Sequence, residues 1–220
     1  MFGTACFAES LRAFRDSGDR WATRHVLDSL GHMAYLRGDY QWAAAWYEES
    51  LTLWRELGNR RGSADSLDSL AQVALAQRDL ARVAALLEEA VALCRDLDYR
   101  SGLAWSLQHL GTAAGMIGWP ERAAQLWGAA EVLHEPAGKT MRIVDQALYE
   151  RTVATIHSQL GEAAFTAAWA AGRAMSLERA IAYALAACRR ERFTGHLIAL
   201  CSTTHNPIVM RYSYFSPTNC

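Results

Sequence analysis

The chain repeats itself with a period of 40 residues. Setting residues 9–40 against 49–80 aligns twelve identical pairs in 32 positions: Glu9/Glu49, Ser10/Ser50, Leu11/Leu51, Arg15/Arg55, Gly18/Gly58, Arg20/Arg60, Leu27/Leu67, Asp28/Asp68, Ser29/Ser69, Leu30/Leu70, Ala34/Ala74 and Asp39/Asp79. Unrelated segments of ordinary composition would share roughly two or three. A third copy begins near Ser101, with Leu107, Leu110, Ala114, Ala123 and Ala130 in the same places. Self-similarity at this period belongs to a supersecondary unit that cannot bury its apolar face alone and does so by stacking on copies of itself. The material for a core is there, since 51% of the residues are hydrophobic.

Each unit reads as two helices. Leu27, Leu30 and Ala34 recur at i, i+3 and i+7, as do Leu67, Leu70, Ala74 and Leu107, Leu110, Ala114. That spacing gives an amphipathic helix its apolar stripe. Gly38-Asp39 then punctuates the chain, with Asp39 and Asp79 placed to cap the second helix. In the third copy Trp119-Pro120-Glu121 stands there instead, and proline followed by an acid starts a helix equally well. The second helices carry Ala43, Tyr47, Ser50, Leu51 and Trp54, matched by Val83, Leu87, Ala90, Val91 and Cys94. The small residues allow close approach, and Tyr47, Leu87 and Trp127 fill the space between helices.

This pattern resembles the tetratricopeptide repeat. It falls on Leu27, Leu30-Gly31, Ala34, Ala43, Tyr47 and Ser50, and again on Leu107, Leu110-Gly111, Ala114, Ala123, Trp127 and Ala130. The departures are the period of 40 rather than 34 residues, which longer helices accommodate as in the MalT-like subset, Leu in place of the usual Trp, and the absence of the terminal Pro. The resemblance implies an all-α, right-handed α-solenoid over residues 1–135, comprising a half repeat at 1–19 and repeats at about 20–60, 61–100 and 101–135. Residues 136–187 are expected to form a helical C-terminal cap, Ser176 capping a last helix whose apolar face holds Ile181 and Leu185. The strings Gln125–Glu131, Leu160–Phe165, Ala168-Trp169, Gly172-Arg173 and Met175–Ala180 are similar to the segment that closes the repeat region of bacterial LuxR-type ATPase regulators. That second resemblance implies the sensory arm of a signalling or transcriptional regulator.

Residues 188–220 differ in character. Arg189, Arg190, Arg192 and Arg211 against Glu191 give this tail a net charge of +3, and Thr203, Thr204, Asn206, Pro207, Ser213, Ser216, Pro217 and Asn219 read as loop. A flexible extension is the plain reading and a partner-binding tail the sharper one. For the whole chain 22 basic residues face 23 acidic ones, which disfavours a general nucleic-acid or membrane-surface binder. A nucleic-acid-binding regulator acting through the basic tail stands as the alternative, and a purely structural fragment as a third reading.

Chemistry-bearing motifs are sparse. Gly138-Lys139-Thr140 resembles the end of a phosphate loop, but the required earlier glycine is Leu133 and a helix, not a strand, leads into it. His25, Asp28 and His32 share a helix face yet lack a third strong metal ligand at suitable spacing. Cys6, Cys94, Cys188, Cys201 and Cys220 form no metal or redox pair. The N-terminus lacks the basic and apolar regions of a secretory signal, so a cytoplasmic location is expected. No cofactor, metal or catalytic role follows.

In a stack of helix pairs the first helix of each unit lines the concave side. The residues predicted to face it are His25, Asp28, His32 and Tyr35, then Asp65, Asp68, Gln72 and Leu75, then Trp105, Gln108, Thr112 and Met116. Asp28 and Asp68 stand where carboxylate-clamp relatives place basic and amide groups. The expectation is therefore a non-catalytic groove that takes a basic or neutral peptide or partner helix, with an apolar residue near Tyr35 and Trp105.

Overall fold

Six turns set the rhythm of the chain. Positions 18, 38, 58, 78, 98 and 118 all adopt a positive φ, four of them as glycine and two as Arg78 (60°) and Asp98 (47°). At each, the helix before it closes by the same pair of backbone bonds: the Gly38 N–H donates to the Tyr35 carbonyl at 2.9 Å and the Asp39 N–H to the Ala34 carbonyl at 2.9 Å. This is the Schellman ending, which requires a left-handed residue at the turn. Helix and turn together therefore recur every twenty residues, half the sequence period.

The computed structural model describes residues 2–134 and 143–189. Among them the helices are α1 (Phe2–Ser17), α2 (Arg20–Leu36), α3 (Tyr40–Glu56), α4 (Arg60–Ala76), α5 (Leu80–Asp96), α6 (Arg100–Met116), α7 (Pro120–His134), α8 (Ile143–Leu160), α9 (Glu162–Arg173) and α10 (Leu177–Arg189). With no strand among these residues, the protein is an all-α helical repeat solenoid. Helix α1 is the leading half unit, and α2–α3, α4–α5 and α6–α7 are the full ones. The expectation for Gly138-Lys139-Thr140 and for the tail beyond Arg189 lies outside the described residues.

Side-chain caps start several helices. Asp19 accepts from the Ala22 N–H at 2.9 Å, Asn59 from Gly62 at 2.9 Å and Asp79 from Arg82 at 3.0 Å. Asp39 departs from expectation, since its side chain caps nothing and its backbone carbonyl alone receives the Ala43 N–H. Ser176 Oγ accepts from the Arg179 N–H at 3.3 Å at the start of α10.

Size matching builds the core. A Cβ on Gly31 would lie 2.7 Å from the Tyr47 ring, and one on Gly111 would lie 2.7 Å from Trp127. The middle unit has Ala71 and Leu87 at these two places, both fully buried. Where the second helix offers an aromatic ring the first retreats to glycine, and where it offers leucine the first advances to alanine. Outside, ion pairs follow the repeat: Arg15–Glu49 recurs as Arg55–Glu89, and Arg20–Glu56 as Arg60–Asp96. All are exposed, so each adds little stability.

Beyond α7 the stacking changes. Helix α9 presses on α7 at two glycines, Gly128 meeting the Trp169 carbonyl and Gly172 the Gln125 carbonyl so closely that neither site has room for a Cβ. Arg173 and the Trp169 indole both reach Glu131, at 2.5 and 2.7 Å. Helix α10 lies across α5, α6 and α7, placing Ala180, Ile181 and Ala184 in the main core. Helix α8 packs on α6, α7 and α9. Covered in this way, α6 is buried continuously from Gly102 to Ala114.

Candidate interaction surface

The first helices α2, α4 and α6 bring the expected groove residues onto one face, but that face divides in two. Over the first unit it is open, with His25 and His32 exposed and Asp28 half-buried, and Asp65 at the neighbouring α4 is exposed as well. Tyr35, in contrast, is only 9% exposed. Further along, Asp68, Gln72, Leu75, Trp105, Gln108 and Thr112 are all buried. The residues expected to line the groove thus differ sharply in exposure along the array. Leu148 and Tyr149 of α8 lie over Gln72, Leu75, Gln108, His109 and Thr112 along a narrow cleft that is partly open to solvent.

The two acids expected to lend the groove its charge are held internally. Asp28 accepts from Arg24 Nη1 at 2.6 Å and from Ser50 Oγ at 2.7 Å. Asp68, one repeat later, finds Ala90 where Ser50 would be, and turns instead to α6. There it accepts from His109 Nδ1 at 3.2 Å and from Ser106 Oγ at 3.5 Å. Ser66 lies 3.4 Å from Ser50, so Asp28, Ser50 and Ser66 form one polar cluster between units and Asp68, Ser106 and His109 the next. A buried carboxylate needs such partners; Arg24 offsets the charge of Asp28, while burial keeps Asp68 from direct contact with a ligand. Asp65 is engaged at the open edge, where it accepts from Tyr99 OH at 2.9 Å. Burial and that carboxylate hold the Tyr99 phenol above its ordinary pKa.

The open end has an aromatic lining that the sequence reading missed. Trp21 is 54% exposed and meets Trp54 edge to face at 5.2 Å. The Arg24 guanidinium lies 4.4 Å from the Trp54 ring centre and 5.6 Å from that of Trp21, a geometry favourable to cation–π attraction. Trp21 precedes His25 by four residues and so shares its helical face, a spacing that could have identified it. Leu36 and Trp42 are also more than 60% exposed in this unit. At the other end, Trp105 meets His134 edge to face at 4.6 Å and its ring is covered.

Among the described residues no group of three or more His, Cys, Asp or Glu side chains could hold a metal ion, and His25, Asp28 and His32 make none. Cys94 is buried, and burial together with Asp68 and Asp65 pushes its thiol up to about 12. A thiol so protonated is a packing group rather than a nucleophile. None of the described helices is long and apolar enough to cross a membrane.

Stacked helix pairs with an exposed first-helix face define a helical-repeat scaffold of the kind used to bind other proteins. More particularly, residues 23–96 match the family model of the tetratricopeptide repeat, which supports a repeat region of that kind over those residues. Such repeats generally mediate protein–protein interaction and are typically non-catalytic. No curated protein matches the sequence.

Proposed function

We propose that this chain is a non-catalytic protein-interaction module and that its binding surface is the open face of the first unit and its border with the second. The observation that carries this reading is the row of exposed Trp21, His25 and His32 on α2, with half-buried Asp28 among them, beside exposed Asp65 on α4. Aromatic and polar groups side by side on a rigid helix pair suit a partner helix or extended segment with one apolar anchor. Of the two partner chemistries considered from sequence, internal pairing of Asp28 and Asp68 favours a neutral segment over a strongly basic one. The buried residues Gln72, Gln108 and Thr112 lie beneath α8 and become accessible to a partner only where that helix gives way, while Trp105 is covered by His134.

The cellular setting in this reading is the sensory arm of a bacterial signalling or transcriptional regulator, working in the cytoplasm. It is supported by the resemblance over residues 125–187, whose Gly128 and Gly172 make the tight α7–α9 crossing. Titration with neutral, Arg-rich and Asp/Glu-rich helical peptides bearing one Trp or Leu anchor tests the binding mode. The neutral series should bind most tightly and lose about tenfold or more on Trp21→Ala. Tighter binding of the acidic series, or indifference to Trp21→Ala, would sink the idea.

A further inference from the structure

The contacts of α8 differ in quality from those of its neighbours. Helix α9 is fixed by two glycine crossings and the Glu131 bonds. Helix α8 rests on the stripe Leu148, Tyr149, Thr152, Val153, Ile156 and Leu160, of which only Ile156 is fully buried, and beside it His157 meets Glu162 at 2.7 Å and the Phe165 ring edge to face at the exposed junction with α9. Ile156 and Thr152 sit over Gly115 of α6, and Tyr149 meets Trp127 edge to face at 5.3 Å. Toward its N-terminal end the fit worsens. The apolar Leu148 and the Tyr149 ring roof a floor made of Gln72, Gln108, His109 and Thr112, along a narrow cleft that is partly open to solvent. Apolar groups over polar ones gain little from contact, and a gap forfeits the dispersion that tight packing would supply.

That floor is the concave surface of the second and third units, the one on which a helical-repeat scaffold receives a partner. We propose that α8 is an exchangeable resident of the binding groove: an amphipathic helix held in cis, which a partner helix displaces. The incoming helix would match the apolar stripe of α8 where it meets Gly115 and Trp127, and would present hydrogen-bonding side chains to Gln72, Gln108 and Thr112. The resident helix regulates access, because a partner must overcome its local concentration as well as bind. This inference rests on reading the first-helix face as a binding surface.

The test uses the full chain and a synthetic peptide of residues 143–160. In native-state hydrogen exchange the amides of α8 should exchange at least about a hundredfold faster than those of α9 and α6, because α8 opens without the array unfolding. Labelled peptide should bind the Ile156→Asp chain at least about tenfold more tightly than the parent, whose own α8 competes. Exchange of α8 in step with α9 and α6, or equal peptide affinity for the two chains, would overturn the proposal. If Ile156→Asp fails to fold, the exchange experiment on the parent decides alone. Indifference of helical peptides to Trp21→Ala, with α8 nonetheless exchanging, would remove the proposed first-unit site and leave this inference standing.

Discussion

Replacing Gly31 by alanine sets two effects of known size against each other. Alanine in a helix interior gains about 1 kcal/mol over glycine. The new methyl, however, arrives 2.7 Å from the Tyr47 ring, a side chain only 5% exposed and closed in by its neighbours. An overpacked core costs about 1–3 kcal/mol, part of it from forcing the ring off its rotamer. The net effect of Gly31→Ala is a loss of up to about 2 kcal/mol. Tyr47→Leu alone leaves a gap against glycine and costs about 2 kcal/mol. The double variant recreates the Ala71–Leu87 pair of the middle unit, so the two losses should not add. Urea denaturation of the parent, both singles and the double should give a coupling of at least about 1 kcal/mol in favour of the double. Additivity within about 0.5 kcal/mol would refute the argument that ring and glycine sizes are matched.

Three further outcomes follow. Arg78 holds a left-handed turn that four other turns give to glycine, so Arg78→Gly should raise stability by about 1 kcal/mol, and Asp98→Gly by less because Asp tolerates that region better; an unchanged thermal midpoint for Arg78→Gly would contradict this. Gly172→Ala drives a methyl into the Gln125 carbonyl and should cost about 3 kcal/mol, with α9 amides losing exchange protection first; a neutral substitution would show that the crossing is looser than described. Burial keeps the Cys94 thiol and the Tyr149 phenol protonated to about 12, above 9.0 and 10.0 for free groups, so their stabilisation is complete below pH 9 and disappears as pH rises toward 12. Urea midpoints should fall across that window, less steeply in Cys94→Ala; a flat profile would contradict the assignment.

The parts legible in the sequence are those written by local chemistry repeated in register. Leu27, Leu67 and Leu107 mark three first helices because each needs the same buried stripe, and the helix-starting role of Pro120 follows from its ring. The twenty-residue turn was harder to see, since Arg78 and Asp98 occupy positions where glycine would have announced it. The fate of the groove was not legible at all. Asp28 and Asp68 are identical by repeat, yet one pairs with Arg24 and Ser50 and the other with His109 and Ser106, because Ala90 removes a hydroxyl and α6 supplies a histidine. Burial of Gln72, Gln108 and Thr112 depends on where α8 lands, and its stripe of Leu148, Thr152 and Ile156 would suit any apolar seat. The exposed Trp21 stands one turn before His25, the first position that the repeat aligns with Asp65 and Trp105, so the repeat itself does not mark it.

The central claim is that the face of α2 and α4 receives a protein segment. Amide chemical-shift mapping on the full chain, with pooled neutral helical peptides added to about 1 mM, tests it most directly. Shifts should concentrate at Trp21, His25, His32 and Asp65 and leave the α7–α9 crossing at Gly128 and Gly172 unmoved. Shifts confined to the outer faces of α3 and α5, or none at that concentration, would contradict it.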